Sequence, residues 1–201
     1  MKVALTGGIA CGKSLLSQFL NELGVETLDA DDIVHELLPD PEERRRIAAE
    51  VFADPEKRRA LEAKIHPLVK ERIVNWLDGT NGTDGTNETG DCPVSLGGLV
   101  CPVRVAIIPL LFEAHWEKNF DIICCVVSSR EKQIERMTTT RGMTCAEAEA
   151  RLVAQLPVEE KAKRSHYVIH NDGTAEELKA QAAAFLKFLT SKQMQLKLAN
   201  D

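Results

Sequence analysis

The sequence predicts an α/β protein, a parallel sheet with flanking helices, and three observations predict it. Continuous apolar, β-branched runs at 103–108 and 121–127 have the composition of strands buried on both faces. Helix-period segments alternate with such runs, which implies right-handed crossovers between parallel strands. The first run, residues 2–6, passes directly into a glycine loop that opens a helix. With 201 residues the chain is expected to form one domain. Its 44% apolar and 28% charged content is close to the globular average, enough for a buried core. A net charge of -6 argues against a module that neutralises nucleic-acid phosphates over a broad basic face. No apolar run approaches the ~20 residues that span a bilayer, and Met1-Lys2-Val3-Ala4-Leu5 meets glycine too early for a secretory signal. The expectation is a soluble cytoplasmic protein with no nucleic-acid or membrane partner.

The elements follow in order. After the strand at 2–6 and the loop, a helix spans about 13–23 and stops at Gly24, which tolerates positive φ. Residues 25–28 read as a second strand, closed by Asp29, Asp31 and Asp32. From Ile33 to Leu77 the chain is rich in Glu, Arg, Ala and Leu, with Pro39, Pro41, Pro55 and Pro67, and reads as several short helices with proline near their starts. Residues 78–91 hold no apolar side chain and are expected to form a surface loop. After the two buried strands come helices near 130–139, 146–155 and 158–164, a strand at 166–169 and a final amphipathic helix at 175–189. The six cysteines show no CxxC pair and no zinc spacing; Cys124 and Cys125 read as small hydrophobes of a strand.

Gly7-Gly8-Ile9-Ala10-Cys11-Gly12-Lys13-Ser14 matches G-x-x-x-x-G-K-[ST] in full, between a strand and a helix. Glycines let successive N–H groups turn inward around a phosphate, and the helix N-terminus adds partial positive charge. Lys13 can reach the β- and γ-phosphates, and the Ser14 hydroxyl can ligate Mg²⁺. Gly7, Gly8, Ile9, Ala10, Cys11, Gly12, Lys13, Ser14 and Leu15 are therefore the candidate site for MgATP. A thiol at this place is expected to be partly ionised, unless Cys11 simply fills the loop as a small residue.

No Asn-Lys-x-Asp string exists to read a guanine. The strand at 104–108 runs into Pro109-Leu110-Leu111 rather than ending in an acidic Mg²⁺ ligand. Small-molecule kinases instead bring an acceptor hydroxyl beside the γ-phosphate under a mobile lid. Asp31, at the carboxyl end of the second strand, is the candidate to orient that hydroxyl, and Asp32 the candidate helix cap.

Together these residues resemble the dephospho-CoA kinase family. The resemblance runs through Ala4-Leu5-Thr6-Gly7-Gly8-Ile9, Asp29-Ala30-Asp31, Leu61-Glu62-Ala63-Lys64-Ile65-His66-Pro67 and Pro109-Leu110-Leu111-Phe112-Glu113. It continues at Gln133-Ile134-Glu135-Arg136, Ala148-Glu149-Ala150-Arg151 with Gln155, and Val168-Ile169-His170-Asn171-Asp172-Gly173. It implies that MgATP phosphorylates the ribose 3′-hydroxyl of dephospho-CoA, giving CoA and ADP. It also implies a single P-loop kinase-like domain over 1–201. The core would take 1–32, 99–135 and 165–201, a small helical acceptor-binding part about 33–77, a polar loop 78–98 and a lid about 136–164. Asp31 would accept or orient the hydroxyl proton, Lys13 would neutralise the transferring group, and Ser14 would hold Mg²⁺. Pro109, Leu110, Leu111 and Glu113 would line the acceptor side, and Asn171 would lie near the adenine.

The departures from the family are specific. Ala10-Cys11 replaces a glycine-serine pair, and positive φ at Ala10 would cost about 1 kcal/mol. His35 stands where the family has arginine, and an intervening stretch is largely missing, so that Arg44, Arg45 and Arg46 come early. These arginines, with Arg58 and Arg59, form either an anionic pocket or a solvated face paired with Glu42, Glu43 and Glu56. His66 is either an acceptor-side residue or a buried or capping histidine. Thr140 occupies the place of a lid arginine, and Arg141 follows one residue later, roughly 100° around a helix; Arg141 is the candidate lid cation. His166 and His170 replace family aspartates. Two alternatives remain beside the dephospho-CoA reading: another P-loop nucleoside or nucleotide kinase, and a non-catalytic nucleotide-binding module.

Overall fold

A computed structural model describes residues 1–38, 54–79 and 103–198, with 40, 42, 44–47 and 50 in between. The chain divides into two compact units, residues 1–27 with 88–201, and residues 28–87.

The first unit is built on the predicted parallel sheet. Its strands are β1 (Val3–Gly7), β2 (Glu26–Asp29), which begins in this unit, β3 (Arg104–Ile107), β4 (Ile122–Val127) and β5 (Tyr167–His170). Their order across the sheet is β2-β3-β1-β4-β5. Central β1 pairs in parallel with both neighbours, Ala4 lying opposite Ala106 on one side and Ile123 on the other. β1 and β4 are buried along their whole length, which is why both read as unbroken apolar runs. Helices α1 (Lys13–Glu22) and α7 (Ala175–Leu198) pack together, through a core that includes Leu16, Leu20 and Phe185. Tyr167 of β5 packs at a tilt against Phe185 and Phe188, both ring centroids at 5.0 Å. The last helix thus runs nine residues past its expected end at Leu189.

Three further helices lie between β4 and β5: α4 (Arg130–Arg141), α5 (Cys145–Val153) and α6 (Val158–Lys163). Side chains cap the first two, while α6 starts after Pro157 without one. Ser129 accepts the Lys132 amide, and Thr144 with Glu147 forms a reciprocal capping box. Gly142, at φ 63°, ends α4.

The second unit holds α2 (Ala30–Leu37) and α3 (Pro55–Asp78), which pack on each other. Ala30, Ile33, Val69 and Ile73 are its buried apolar residues among those described. An exposed Glu36–Arg72 ion pair joins the two helices at 2.8 Å. Pro55 starts α3 as expected, with the Asp54 carboxylate accepting from Glu56 and Lys57. Pro67 does not start a helix: it lies inside one 24-residue helix where several short ones were expected. A proline interior to a helix costs about 3 kcal/mol, and the helix continues through it because Val69 and Ile73, just beyond, are both buried. Gly79, at φ 72°, terminates α3. Pro39 and Pro41, and the expected polar loop from residue 80 onward, lie outside the described residues.

Candidate active site

The glycine loop leaves β1 at Gly7 and enters α1 at Lys13. Its shape requires three backbone conformations that L residues disfavour: φ 151° at Gly7, 56° at Ala10 and 90° at Gly12. A Cβ at Gly7 would strike the Val126 carbonyl, and one at Gly12 would strike the Asn171 amide. Ala10 takes the positive φ that the sequence made a concern. Gly12 is the N-cap of α1 and, having no side chain, provides no cap. The first-turn N–H groups of the helix are thus left to the loop mouth, with no acidic side chain in that turn. The Lys13 ammonium folds across the loop and donates to Gly7 O at 3.2 Å and Gly8 O at 2.9 Å. Ser14 and Leu15 follow on the exposed face of the first turn.

The carbonyls that point away from the mouth are held from behind by three side chains. Gln133 of α4 donates to Ile9 O at 2.7 Å and to Cys11 Sγ at 3.1 Å. Arg136, one turn later, donates to Ala10 O at 3.1 Å, Ser128 Oγ at 2.9 Å and Asn171 O at 2.7 Å. Asn171, at the end of β5, donates its amide to Cys11 O at 2.8 Å. Carbonyls of Ile9, Ala10 and Cys11 are thereby each occupied, so the peptide groups between them are fixed in direction.

Several expected residues fall elsewhere than anticipated. Asn171 is buried and spends its side-chain donor on the loop backbone, so it acts here as a brace. Cys11 is fully buried, and burial pushes its thiol up despite the nearby Lys13 charge. Of the two readings of Cys11, this supports the small residue that fills the loop over the partly ionised thiol. Its neighbours in β4 behave alike, Cys125 being pushed up to about 12 by burial. Helix capping at the aspartate cluster also falls to a different residue: Asp29, and not Asp32, caps α2 by accepting the Asp31 amide at 2.9 Å. Asp31 and Asp32 are exposed in the first turn of α2, and His35 is exposed in its last. His66 lies half-buried on α3.

At the end of β3 the chain turns through 109–113. Pro109 is half-buried and Leu110 is exposed, whereas Leu111 and Phe112 are packed into the interior. Leu111, expected to line the acceptor side, therefore offers it no surface. Glu113 is tied down as well, 2.8 Å from the Lys161 ammonium and accepting the Leu156 amide at 3.0 Å. In α4, Thr140 turns its hydroxyl back to the Arg136 carbonyl, and Arg141 is exposed at the last residue of the helix.

The sequence assigned no role to Gln133, Arg136 or Lys161. The first two were within reach, since an i, i+3 pair of long polar side chains shares one face of a helix. No local pattern marked Lys161, whose burial is set by tertiary packing.

A parallel sheet in this order, with a braced Walker loop at the end of its central strand, defines a P-loop phosphotransferase. A family model described as dephospho-CoA kinase matches residues 1–43 and 96–177. A dephospho-CoA kinase from Synechococcus sp. (strain JA-3-3Ab) is 36% identical over 206 residues, covering 89% of this chain and 88% of its own. Among solved structures, TT1252 from Thermus thermophilus is 30% identical with a TM-score of 0.71, covering 94% of this chain and 97% of that one. Dephospho-CoA kinase from Campylobacter jejuni shares the fold at a TM-score of 0.64 and 23% identity, covering 96% and 100%. The chain belongs to the dephospho-CoA kinase family. The family model leaves out residues 44–95.

Proposed function

We propose that the chain transfers the γ-phosphoryl group of MgATP to the ribose 3′-hydroxyl of dephospho-CoA, giving CoA and ADP in coenzyme A biosynthesis. The braced loop at the uncapped start of α1 carries this reading, because it presents fixed N–H groups to a polyphosphate without reorganisation. Residues Gly7 to Leu15 hold the phosphates. Lys13 leaves its loop carbonyls to neutralise charge on the transferring group. The exposed Ser14 hydroxyl fits a hard cation shared with phosphate oxygens. Among the described residues no cluster of three or more His, Cys, Asp or Glu side chains could hold a metal by itself, so Ser14, phosphates and water would hold Mg²⁺. When bound, the ion screens the negative charge that repels a nucleophile.

Asp31 orients the acceptor hydroxyl and takes its proton; Arg141 is the lid cation; Pro109 and Leu110 form the acceptor side, with His35 and His66 as further acceptor residues. Asn171 serves the nucleotide through the loop it braces. The core, the helical part at 33–77 and the lid at 136–164 belong to the same reading, as does a cytoplasmic location. Among the described residues no helix is long and apolar enough to cross a membrane.

The test is ADP production by the purified protein with and without dephospho-CoA, with the product weighed by mass spectrometry. Strong stimulation and one added phosphate on the ribose are expected. Retained ATP binding without stimulation would overturn the reading in favour of a nucleotide-binding module. Asp31→Asn should lower kcat by about 10²–10⁴-fold, and turnover within a few-fold of the parent would remove Asp31 from the mechanism.

A further inference from the structure

Lys161, on α6, has no exposed surface, a rare state for lysine. Its ammonium donates to Pro109 O at 2.9 Å and stands 2.8 Å from Glu113 Oε1. One cation therefore holds both ends of the turn at 109–113. Thr6 of β1 donates to the same Pro109 carbonyl at 3.3 Å, and Glu113 Oε1 also accepts the Leu156 amide, just after α5. Glu113 Oε2 is buried with no hydrogen-bond partner. Between these anchors Leu111 and Phe112 face the core and Leu110 is 42% exposed.

A buried ion pair is a poor way to gain stability, since apolar residues of similar volume do as well or better. What the pair supplies is direction, because charge-assisted hydrogen bonds set the orientation of the groups they join. Here the groups are the two ends of one turn and the chain that leads from α5 to α6.

We propose that Lys161 is a positioning residue for the acceptor: it holds the Pro109–Glu113 turn in the shape that receives dephospho-CoA and ties that shape to the segment at Leu156. The proposal rests on the reading that this turn forms the acceptor side. Lys161 touches neither substrate and acts through the Pro109 carbonyl and the Glu113 carboxylate.

The experiment compares the full chain with Lys161→Met and with the double variant Lys161→Met/Glu113→Gln. Thermal melting is measured, together with kinetics in which ATP and dephospho-CoA are varied separately. Lys161→Met should lower kcat/KM for dephospho-CoA by about tenfold or more, as displaced positioning groups do. Its KM for ATP should stay within about threefold of the parent, since the interaction removed is on the acceptor side. Its melting temperature should fall, because the part-buried Glu113 carboxylate, whose Oε2 has no hydrogen-bond partner, loses its counter-charge. The double variant removes both charges and should recover the melting temperature while keeping the acceptor defect. Recovery of melting and kinetics together would overturn the proposal, as would a KM for ATP that rises as much as that for dephospho-CoA. Should the single variant fail to fold, the double variant alone decides between these outcomes. Absence of dephospho-CoA phosphorylation by the unmodified chain would sink the parent reading, and this proposal with it. Normal activity with unaltered acceptor kinetics in the variants would sink this proposal alone.

Discussion

The glycine loop and the helical pair of the second unit are held by different means. Every outward carbonyl from Ile9 to Cys11 is pinned by a side chain from α4 or β5, and the loop stands over a sheet whose central strands have no exposed residue. Among the described residues the helical pair is joined by Ala30, Ile33, Val69 and Ile73 and by an exposed ion pair, and such pairs contribute little. Directional bonds fix the part that must present several N–H groups at once to a phosphate. The helical pair, which carries Asp31 in the first turn of α2, rests instead on non-directional apolar contact, and that lets the unit open at lower free energy.

The contrast is sharpest in a core truncation. Ile73→Ala should cost about 2–5 kcal/mol, as large-to-small core changes do, and that loss should be confined to the helical pair. Native-state hydrogen exchange should then show lost protection across α2 and α3 with β1 and β4 unchanged. Equal loss in β4 would mean that the two regions open as one cooperative unit, and the comparison would fail.

Gly12→Ala probes the pinned side. The backbone at φ 90° opposes any L side chain by about 1–2 kcal/mol, and the new methyl would also displace Asn171 from Cys11 O. ATP binding should weaken by about tenfold or more, following from a loss of at least ~1.4 kcal/mol, with the helical pair unaffected in exchange. Adding Asn171→Ala removes the collision together with the brace on Cys11 O and leaves the strain, so a partial recovery shows that the collision costs more than the lost brace. Full recovery would show that backbone strain at this position is negligible.

These variants also mark what was legible in the sequence. Gly7 and Gly12 were, because each answers a local demand of a short motif, and so were the sheet strands, whose burial on both faces leaves unbroken apolar runs. The braces were not. Gln133, Arg136 and Asn171 reach the loop across more than a hundred residues of chain, and no local pattern encodes that meeting. Pro67 failed for the opposite reason, since local chemistry marked it as the start of a new helix while burial of Val69 and Ile73 carried one helix through it. Leu111 and Lys161 show the limit of residue type as a guide: a leucine expected on a binding surface is in the core, and a lysine, a residue type almost never fully buried, is buried. Burial there is decided by the turn at 109–113, whose direction no spacing reveals.

The smallest effect tests whether the bracing fully compensates the loop's own strain. Ala10 sits at φ 56°, with its carbonyl held by Arg136. The left-handed conformation costs an L residue about 1–2 kcal/mol, whereas glycine would add about 0.4–1 kcal/mol of unfolded-state entropy to be lost on folding. The strain term is the larger, so Ala10→Gly should stabilise the protein by up to about 1 kcal/mol. For a chain of this length that is a rise in melting temperature of about 2–4 °C. ATP affinity should stay within about twofold, because Arg136, Gln133 and Asn171 already hold the loop carbonyls in place. A fall in melting temperature would mean that the braces hold Ala10 without strain and that glycine only loosens the loop. A large gain in affinity would mean that the alanine distorts the phosphate cradle despite its braces, and the loop would no longer count as the better-fixed of the two regions.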